Sequence, residues 1–399
     1  MKILLATGIY PPDIGGPATY TRAIARALNE SGHEITVICY ADKINVNISD
    51  EEKFKVLRVS REQSRRARYR EYEEEAYKIA QCVDIVYLQG PVSEGYPGTR
   101  AAQRAGKPTV MKVVGDYAWE MYMQSGSGKK ELLDEFITHR HFFPPKVWRI
   151  ESIERETAKY ASRIITPSHY LKSIVEKWGV PSDKIEVILN AGQHLPGGLS
   201  RQEARKAFCV EDKSVLFTVV RAVPWKNIDF IIRLLPKLKP DIVLYIAGDG
   251  PSLDDWKAVA EKEGVKDRVQ FLGKLDRPAL SDWYRAADLF VLPSGYEGYP
   301  NVIPEAVSMG LPCVVSDKGG NPETRESFPD FVTVLPYLND QAWIEALSHN
   351  QEVVTVAPSP NDFSQMIQST LNALQSALPT PHPPSLSKTR ASENRPPTP

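Results

Sequence analysis

Ser294-Gly-Tyr-Glu-Gly-Tyr-Pro-Asn-Val-Ile-Pro-Glu305 is the stretch from which the rest of the chain can be read. Ahead of it, Leu289-Phe-Val-Leu292 is a short apolar run of the kind that forms a buried parallel strand. Behind it, Asn301 suits the N-cap of a helix running to about Gly310, where glycine suits the stop. Pro304 near the helix start costs little, because first-turn amides lack helical partners anyway. Glu297 and Glu305 therefore stand eight positions apart across a strand end, a turn and a first helical turn.

Free amides at a helix start, approached through Gly298, favour a phosphate. A carboxylate in the same turn would repel that phosphate unless it accepts hydrogen bonds from sugar hydroxyls. Glu305 then suits a ribose diol, and Glu297 the hydroxyls of a second sugar. A phosphate flanked by two diols is a nucleotide-sugar; the competing reading is an ordinary exposed acidic loop.

A second strand end adds the cations. Val215-Leu-Phe-Thr-Val-Val220 is apolar and leads into Arg221-Ala-Val-Pro-Trp-Lys226-Asn227. Lys226 lies five residues beyond Arg221, at the expected start of a helix over 229–238. Together they can neutralise a diphosphate leaving group, Arg with a planar fork and Lys with a point charge. Taken alone, such a pair reads equally as two solvated surface cations; convergence at strand ends favours a site.

With these residues in place the chain resembles the group 1 (family 4) retaining glycosyltransferases. The resemblance is carried by Glu297 and Glu305, by Arg221 with Lys226, and by Ala247-Gly-Asp-Gly-Pro251. Tyr284-Arg-Ala-Ala-Asp288 and the run from Met309 through Gly320 to Glu323 extend it, and Tyr10-Pro-Pro-Asp-Ile-Gly-Gly16 looks like the family's glycine-bearing first loop. It covers roughly residues 1–335, more strongly in the second half. The resemblance implies the α/β GT-B fold, two Rossmann-like doubly wound domains facing each other across a cleft.

The rest of the sequence fits that architecture. A length of 399 residues suits two cores, and 49 basic against 50 acidic residues argues against a nucleic-acid partner. No run reaches the roughly 18 to 20 apolar residues of a membrane span, and Met1-Lys-Ile-Leu-Leu-Ala lacks an export pattern, so a cytoplasmic protein is expected. Cys39, Cys82, Cys209 and Cys313 are scattered and read as reduced buried thiols. Strands and helices alternate from residue 3 onward, with helices expected over 71–81 and 99–105, and the pattern restarts at Val215. The glycine-rich stretch 189–199 marks the linker.

The expected domains are 1–192, binding the acceptor, and 193–335, binding the nucleotide-sugar. Helices follow over 336–378, with Phe363, Met366, Ile367, Leu371, Leu374 and Leu378 on one face of the last. By analogy with GT-B enzymes that helix is expected to cross back to the first domain. Residues 379–399, with seven prolines, are expected to be disordered.

No D-x-D pair occurs, so no metal is expected, and the leaving diphosphate falls to Arg221, Lys226 and the helix-start amides. The donor contacts assigned are Gly15 and Gly16 on one wall, and Gly298, Tyr299, Pro300, Asn301, Val302 and Glu305 on the other. Family members commonly carry a histidine after the strand 110–114; this chain has Gly115-Asp116-Tyr117-Ala-Trp119-Glu120 there. Asp116 is the nearest polar substitute, and it also suits a helix N-cap. The acceptor residues are not legible. Ser60-Arg-Glu-Gln-Ser-Arg-Arg-Ala-Arg-Tyr-Arg70 reads either as a solvated helix face or as a contact for an anionic lipid.

The resulting expectation is a metal-independent, retaining hexosyltransferase with no cofactor, catalysing through Glu297, Arg221, Lys226 and Asp116. It would use a UDP- or GDP-sugar donor and a polysaccharide or lipid-linked sugar acceptor, with peripheral contact to an anionic membrane surface left open. The rival readings are a non-catalytic nucleotide-sugar-binding protein and a phosphorylase or hydrolase on the same scaffold.

Overall fold

The computed structural model describes residues 1–13, 15–42, 52–125, 131–139, 143–191, 195, 198–348 and 363–379. The linker residues 192–194, including His194, and the proline-rich 380–399 lie outside the described residues.

Two all-parallel sheets organise the chain. The first holds β1 (Lys2–Ala6), β2 (Glu34–Ala41), β3 (Lys55–Ser60), β4 (Ile85–Leu88), β5 (Thr109–Lys112), β6 (Arg163–Thr166) and β7 (Ile185–Val187). Its order is β3-β2-β1-β4-β5-β6-β7. Its helices are α1 (Gly16–Glu30), α2 (Arg65–Ala80), α3 (Gly95–Arg104), α4 (Tyr117–Gln124), α5 (Leu133–Thr138), α6 (Pro145–Tyr160) and α7 (His169–Lys177).

The second sheet holds β8 (Ser214–Val219), β9 (Ile242–Ala247), β10 (Val269–Gly273), β11 (Leu289–Leu292), β12 (Cys313–Ser316) and β13 (Val332–Leu335). Its order is β10-β9-β8-β11-β12-β13. Around it lie α8 (Arg201–Ala207), α9 (Ile228–Leu234), α10 (Leu253–Lys262), α11 (Arg277–Ala286), α12 (Val302–Ser308), α13 (Asn321–Ser327) and α14 (Asp340–Ser348). A last helix, α15 (Phe363–Ser376), follows.

Strand order reverses between β1 and β4 in one sheet and between β8 and β11 in the other. Loops leaving the carboxyl ends of strands at such a switch point open a crevice. In the second domain those loops are 220–227 and 293–301, the two stretches that the sequence singles out. Every residue of β4 and β11 is buried, as parallel strands covered on both faces require.

Three local readings change. α2 starts earlier than expected because Ser64 caps it, its hydroxyl accepting from the Ala67 amide at 3.4 Å, so most of the arginine run is helical. Lys226 ends a 3₁₀ turn, Pro224–Lys226, and Asn227 at φ +50° separates it from α9, which is shorter than expected. Only Cys39 and Cys313 are buried; Cys82 and Cys209 are exposed, and all four are free thiols.

The two terminal helices part company. α14 keeps Trp343 in the second-domain core, while α15 lies on α1 and β6 of the first domain. It buries Met366, Ile367, Leu371 and Leu374 there, and the Ala191 amide donates to Met366 Sδ at 3.4 Å. Burial of four such side chains, at about 1.5–3 kcal/mol each, holds the helix in place. Among the described residues no helix is long and apolar enough to cross a membrane.

Candidate functional site

Arg221 follows β8, and the Gly-Asp-Gly turn after β9 fixes its backbone. The Ala222 amide donates to the Asp249 carbonyl at 3.0 Å, and Ser252 returns a bond to the Ala222 carbonyl at 2.9 Å. Gly248 sits at φ +123°, and a Cβ there would lie 1.8 Å from the Val220 oxygen. Only glycine fits, both for its dihedral and for this approach. The Arg221 side chain is exposed at the cavity wall and has no acid partner among the described residues.

Lys226 reaches Glu297 in a half-buried ion pair, and Ser294 donates to the same carboxylate oxygen at 2.8 Å. The Glu297 carbonyl in turn accepts from the Gly320 amide at 2.8 Å. Gly319 and Gly320 lie directly against Glu297 and Gly298, leaving no room for side chains. The Lys-Gly-Gly stretch thus serves as the backing of the glutamate loop.

The first domain closes over this loop. A Cβ on Gly298 would meet the Val114 oxygen at 2.4 Å, and Ser168 donates to the Gly298 carbonyl at 2.5 Å. Glu323 of α13 accepts from the His169 and Tyr170 amides at 2.8 and 2.7 Å, capping α7 across the domain boundary. Trp119 of α4 packs on Trp225 and Tyr296, with ring centroids 5.0 and 4.8 Å apart.

Between the walls is a cavity of about 280 Å³. The second domain lines it with Arg221, Lys226, Glu297, Gly298, Tyr299 and Asn301. The first domain supplies Gly16, Gln89, Lys112 and Glu120. Arg221, Lys226, Glu297, Gly16, Gly298, Tyr299 and Asn301, all selected from sequence, are brought to one place. Gly15, the N-cap position of α1, adjoins Gly16, and Pro300 and Val302 flank the wall without lining it.

Asp116 is corrected. Its carboxylate accepts from the Trp119 amide at 2.8 Å and from Trp178 Nε1 at 3.3 Å, and the residue is 1% exposed. It caps α4 and does not face the cavity. Burial raises its pKa. Asn301 is corrected too: its side chain caps nothing but accepts from Asn190 Nδ2 at 3.0 Å, joining the two domains. α12 has only seven residues, so the positive charge of the cavity wall comes from Arg221 and Lys226 more than from helix-start amides.

Glu305 is not among the cavity-lining residues. Its carboxylate accepts from the Tyr284 hydroxyl at 3.3 Å and lies 3.9 Å from Arg277, and burial raises its pKa. His139 pairs with Glu131 at 2.8 Å, and no described histidine lines the cavity.

Three residues escaped the sequence reading. Glu120 stands one turn after Asp116 on α4 and lines the cavity, with no ion pair or side-chain hydrogen bond among the described residues. Burial pushes its pKa up to about 7, against the pull of Arg221. The sequence marks only the cap at Asp116; an acid inside the helix that follows carries no local sign of facing a cavity.

Lys112 ends β5 fully buried, donating to Asn190 Oδ1 at 2.7 Å with its ammonium 3.6 Å from the Tyr20 ring centroid; burial drives its pKa well down. Gln89, just past β4 at the switch point, keeps a buried amide nitrogen without a partner among the described residues. The Tyr296 hydroxyl is in the same condition beside Glu120. No group of residues able to hold a metal occurs among the described residues.

The profile described as Glycosyltransferase Family 4 matches residues 14–191, and that of Glycosyl transferases group 1 matches residues 200–352. The chain belongs to the group 1 (family 4) glycosyltransferases. The transferase is 27% identical over 366 residues to an uncharacterized glycosyltransferase of Methanocaldococcus jannaschii, covering 86% of this chain and 87% of the relative. It is 30% identical to a UDP-Gal:alpha-D-GlcNAc-diphosphoundecaprenol alpha-1,3-galactosyltransferase of Escherichia coli, over 66% of this chain and 65% of that one. An Anabaena protein solved with UDP and glucose shares its fold, with TM-score 0.71 and 18% identity over 94% of this chain and 99% of the other. The fold of the transferase is GT-B.

Proposed function

We propose that the transferase moves a hexosyl group from a UDP- or GDP-sugar to a hydroxyl of a lipid-linked sugar, with retention of configuration and without a metal ion. The observation that carries this reading is the meeting of Arg221, Lys226 and Glu297 with Glu120 in one interdomain cavity. The donor's diphosphate takes Arg221 and draws Lys226 from Glu297, and the freed carboxylate accepts from hydroxyls of the donor sugar. Glu305 orients the ribose from beside the cavity, and Glu120 orients the acceptor hydroxyl.

As the bond from C1 to the diphosphate oxygen breaks, the acceptor oxygen bonds to C1 on the same face. The acceptor's proton passes to the departing phosphate oxygen, and the nucleoside diphosphate leaves stabilised by the two cations. The UDP and glucose complex of the Anabaena protein supports the donor class, and the E. coli relative's diphosphoundecaprenol substrate supports a lipid-linked acceptor.

The test is an incubation of UDP- and GDP-hexoses with a lipid-linked sugar in the presence of EDTA, with the product's anomeric configuration read by NMR. Transfer with an unchanged anomer is expected. An inverted anomer, or loss of transfer on chelation, contradicts the mechanism. Donor binding with neither transfer nor hydrolysis would instead favour the non-catalytic reading.

A further inference from the structure

A second cavity, of about 500 Å³, lies in the first domain, where Arg65 and Arg66 of α2 face Lys146 and Arg149 of α6. None of these four cations has an acid partner among the described residues; Arg65 lies 5.5 Å from the Tyr69 ring. Further along α2 the charges are matched. Glu73 pairs with Arg100 at 2.9 Å, Glu74 with Arg104 at 2.8 Å, and Glu75 with Lys78 at 2.6 Å. Unmatched like charges around one concavity repel one another, and an anion relieves that repulsion.

The cavity is not only cationic. Tyr69 and Tyr96 supply ring faces, and Ile150 and Ile153 supply aliphatic surface. Trp148, on the same turn of α6, is 59% exposed. An anion joined to an apolar tail matches this lining better than an anion alone.

Position ties the cavity to the cleft. α2, α4 and α6 all begin at the carboxyl edge of the first sheet, the edge that faces the second domain. At the start of α4 the Tyr117 amide donates to Glu154 Oε1 of α6 at 2.9 Å, next to Ile153 of the cavity lining. Three residues further along α4, a rise of about 4.5 Å, Glu120 lines the donor cavity.

We propose that the α2–α6 cavity holds the diphosphate of the lipid-linked acceptor, with the first carbons of its tail on the tyrosine and isoleucine surface, so that the acceptor sugar reaches past Tyr117 to Glu120. This assignment rests on the lipid-linked acceptor reading above. The occupant is the acceptor's own diphosphate and not the bulk membrane surface, because the cations surround a concavity into which one headgroup descends.

The test titrates the full chain calorimetrically with geranyl diphosphate, inorganic pyrophosphate, geraniol and phosphatidylglycerol vesicles. The variants are Arg66→Glu with Arg149→Glu and, as a milder pair, Arg66→Gln with Arg149→Gln. Geranyl diphosphate should bind the wild type at least tenfold more tightly than pyrophosphate or geraniol. The charge reversals should weaken it at least tenfold, and the glutamine pair less, with UDP affinity unchanged throughout.

Equal affinity for pyrophosphate would reduce the cavity to a non-selective anion patch, and affinity for vesicles alone would make it a membrane contact; either overturns the assignment. So does indifference to charge reversal, or a parallel loss of UDP binding. Failure of the wild type to bind UDP would remove the donor reading while leaving the geranyl diphosphate result to be judged on its own.

Discussion

The two walls of the donor cavity handle charge differently. On the second-domain wall Lys226 and Glu297 neutralise each other and Ser294 steadies the carboxylate. On the first-domain wall Lys112 has only an amide oxygen and a ring, Glu120 is held near neutrality by burial, and Gln89 keeps an idle amide nitrogen. One wall is preorganised by its own ion pair. The other stores desolvated groups whose better partners would be those of a ligand, a common cost of a functional surface.

Removing a cation from the preorganised wall should have the largest effect. Lys226→Ala should lower kcat/KM for donor turnover by about 10²–10³, the range for loss of one electrostatic stabiliser of a developing anion. Lys226→Arg should restore part of it. Steady-state kinetics on the folded variants reads this directly, and turnover within twofold of wild type would remove Lys226 from the site.

The opposite wall should betray its strain through pH. The Glu120 carboxyl has a pKa raised from 4.5 to about 7, so the folded state binds its proton more tightly than the unfolded chain does. Its stability contribution is full below pH 4.5 and is lost as pH rises through 7. Glu120→Gln removes this dependence. At pH 8 the variant should be more stable by about 2–3 kcal/mol, and at pH 4 unchanged, by urea unfolding. Transfer should fall at both pH values. A variant no more stable at pH 8 would show that Glu120 is not desolvated.

The contact joining the walls comes next. Asn190 accepts from Lys112 and donates to Asn301, one bond in each domain. Asn190→Ala leaves a buried ammonium without its acceptor and should cost about 1–3 kcal/mol. Small-angle scattering should also show a more open cleft; an unchanged unfolding midpoint would refute the bridge.

The smallest effect is expected at Asp116. Asp116→Ala should destabilise by about 1 kcal/mol through loss of the α4 cap, with kcat within twofold of wild type. A kcat loss as deep as that of Lys226→Ala, without loss of stability, would return Asp116 to the catalytic set.

The same contrast explains what the sequence disclosed. Arg221, Lys226 and Glu297 lie in short loops after apolar strands, where residue type, glycine placement and strand order together indicate a site. The Gly-Asp-Gly and Lys-Gly-Gly turns could be quoted from sequence, but their role as backing for Arg221 and Glu297 needed the close approaches seen at Gly248 and Gly319. Glu120 and Lys112 sit inside a helix and a strand, where an acid or a lysine has no local mark of function. Glu120 is buried where the second domain meets α4, and Lys112 where Asn190 and Tyr20 cover it; both are tertiary facts. Asp116 misled because a good N-cap and a good sugar contact use the same side chain.

Whether Arg221 and Lys226 grip the diphosphate of a nucleotide-sugar in the interdomain cavity is decided by denaturation with and without UDP- and GDP-hexoses. The true donor, at a hundredfold excess over its dissociation constant, should stabilise the wild type by about 2.7 kcal/mol, and Arg221→Ala with Lys226→Ala should abolish the shift. Equal stabilisation of the double variant, or no shift with either class of donor, would contradict that grip.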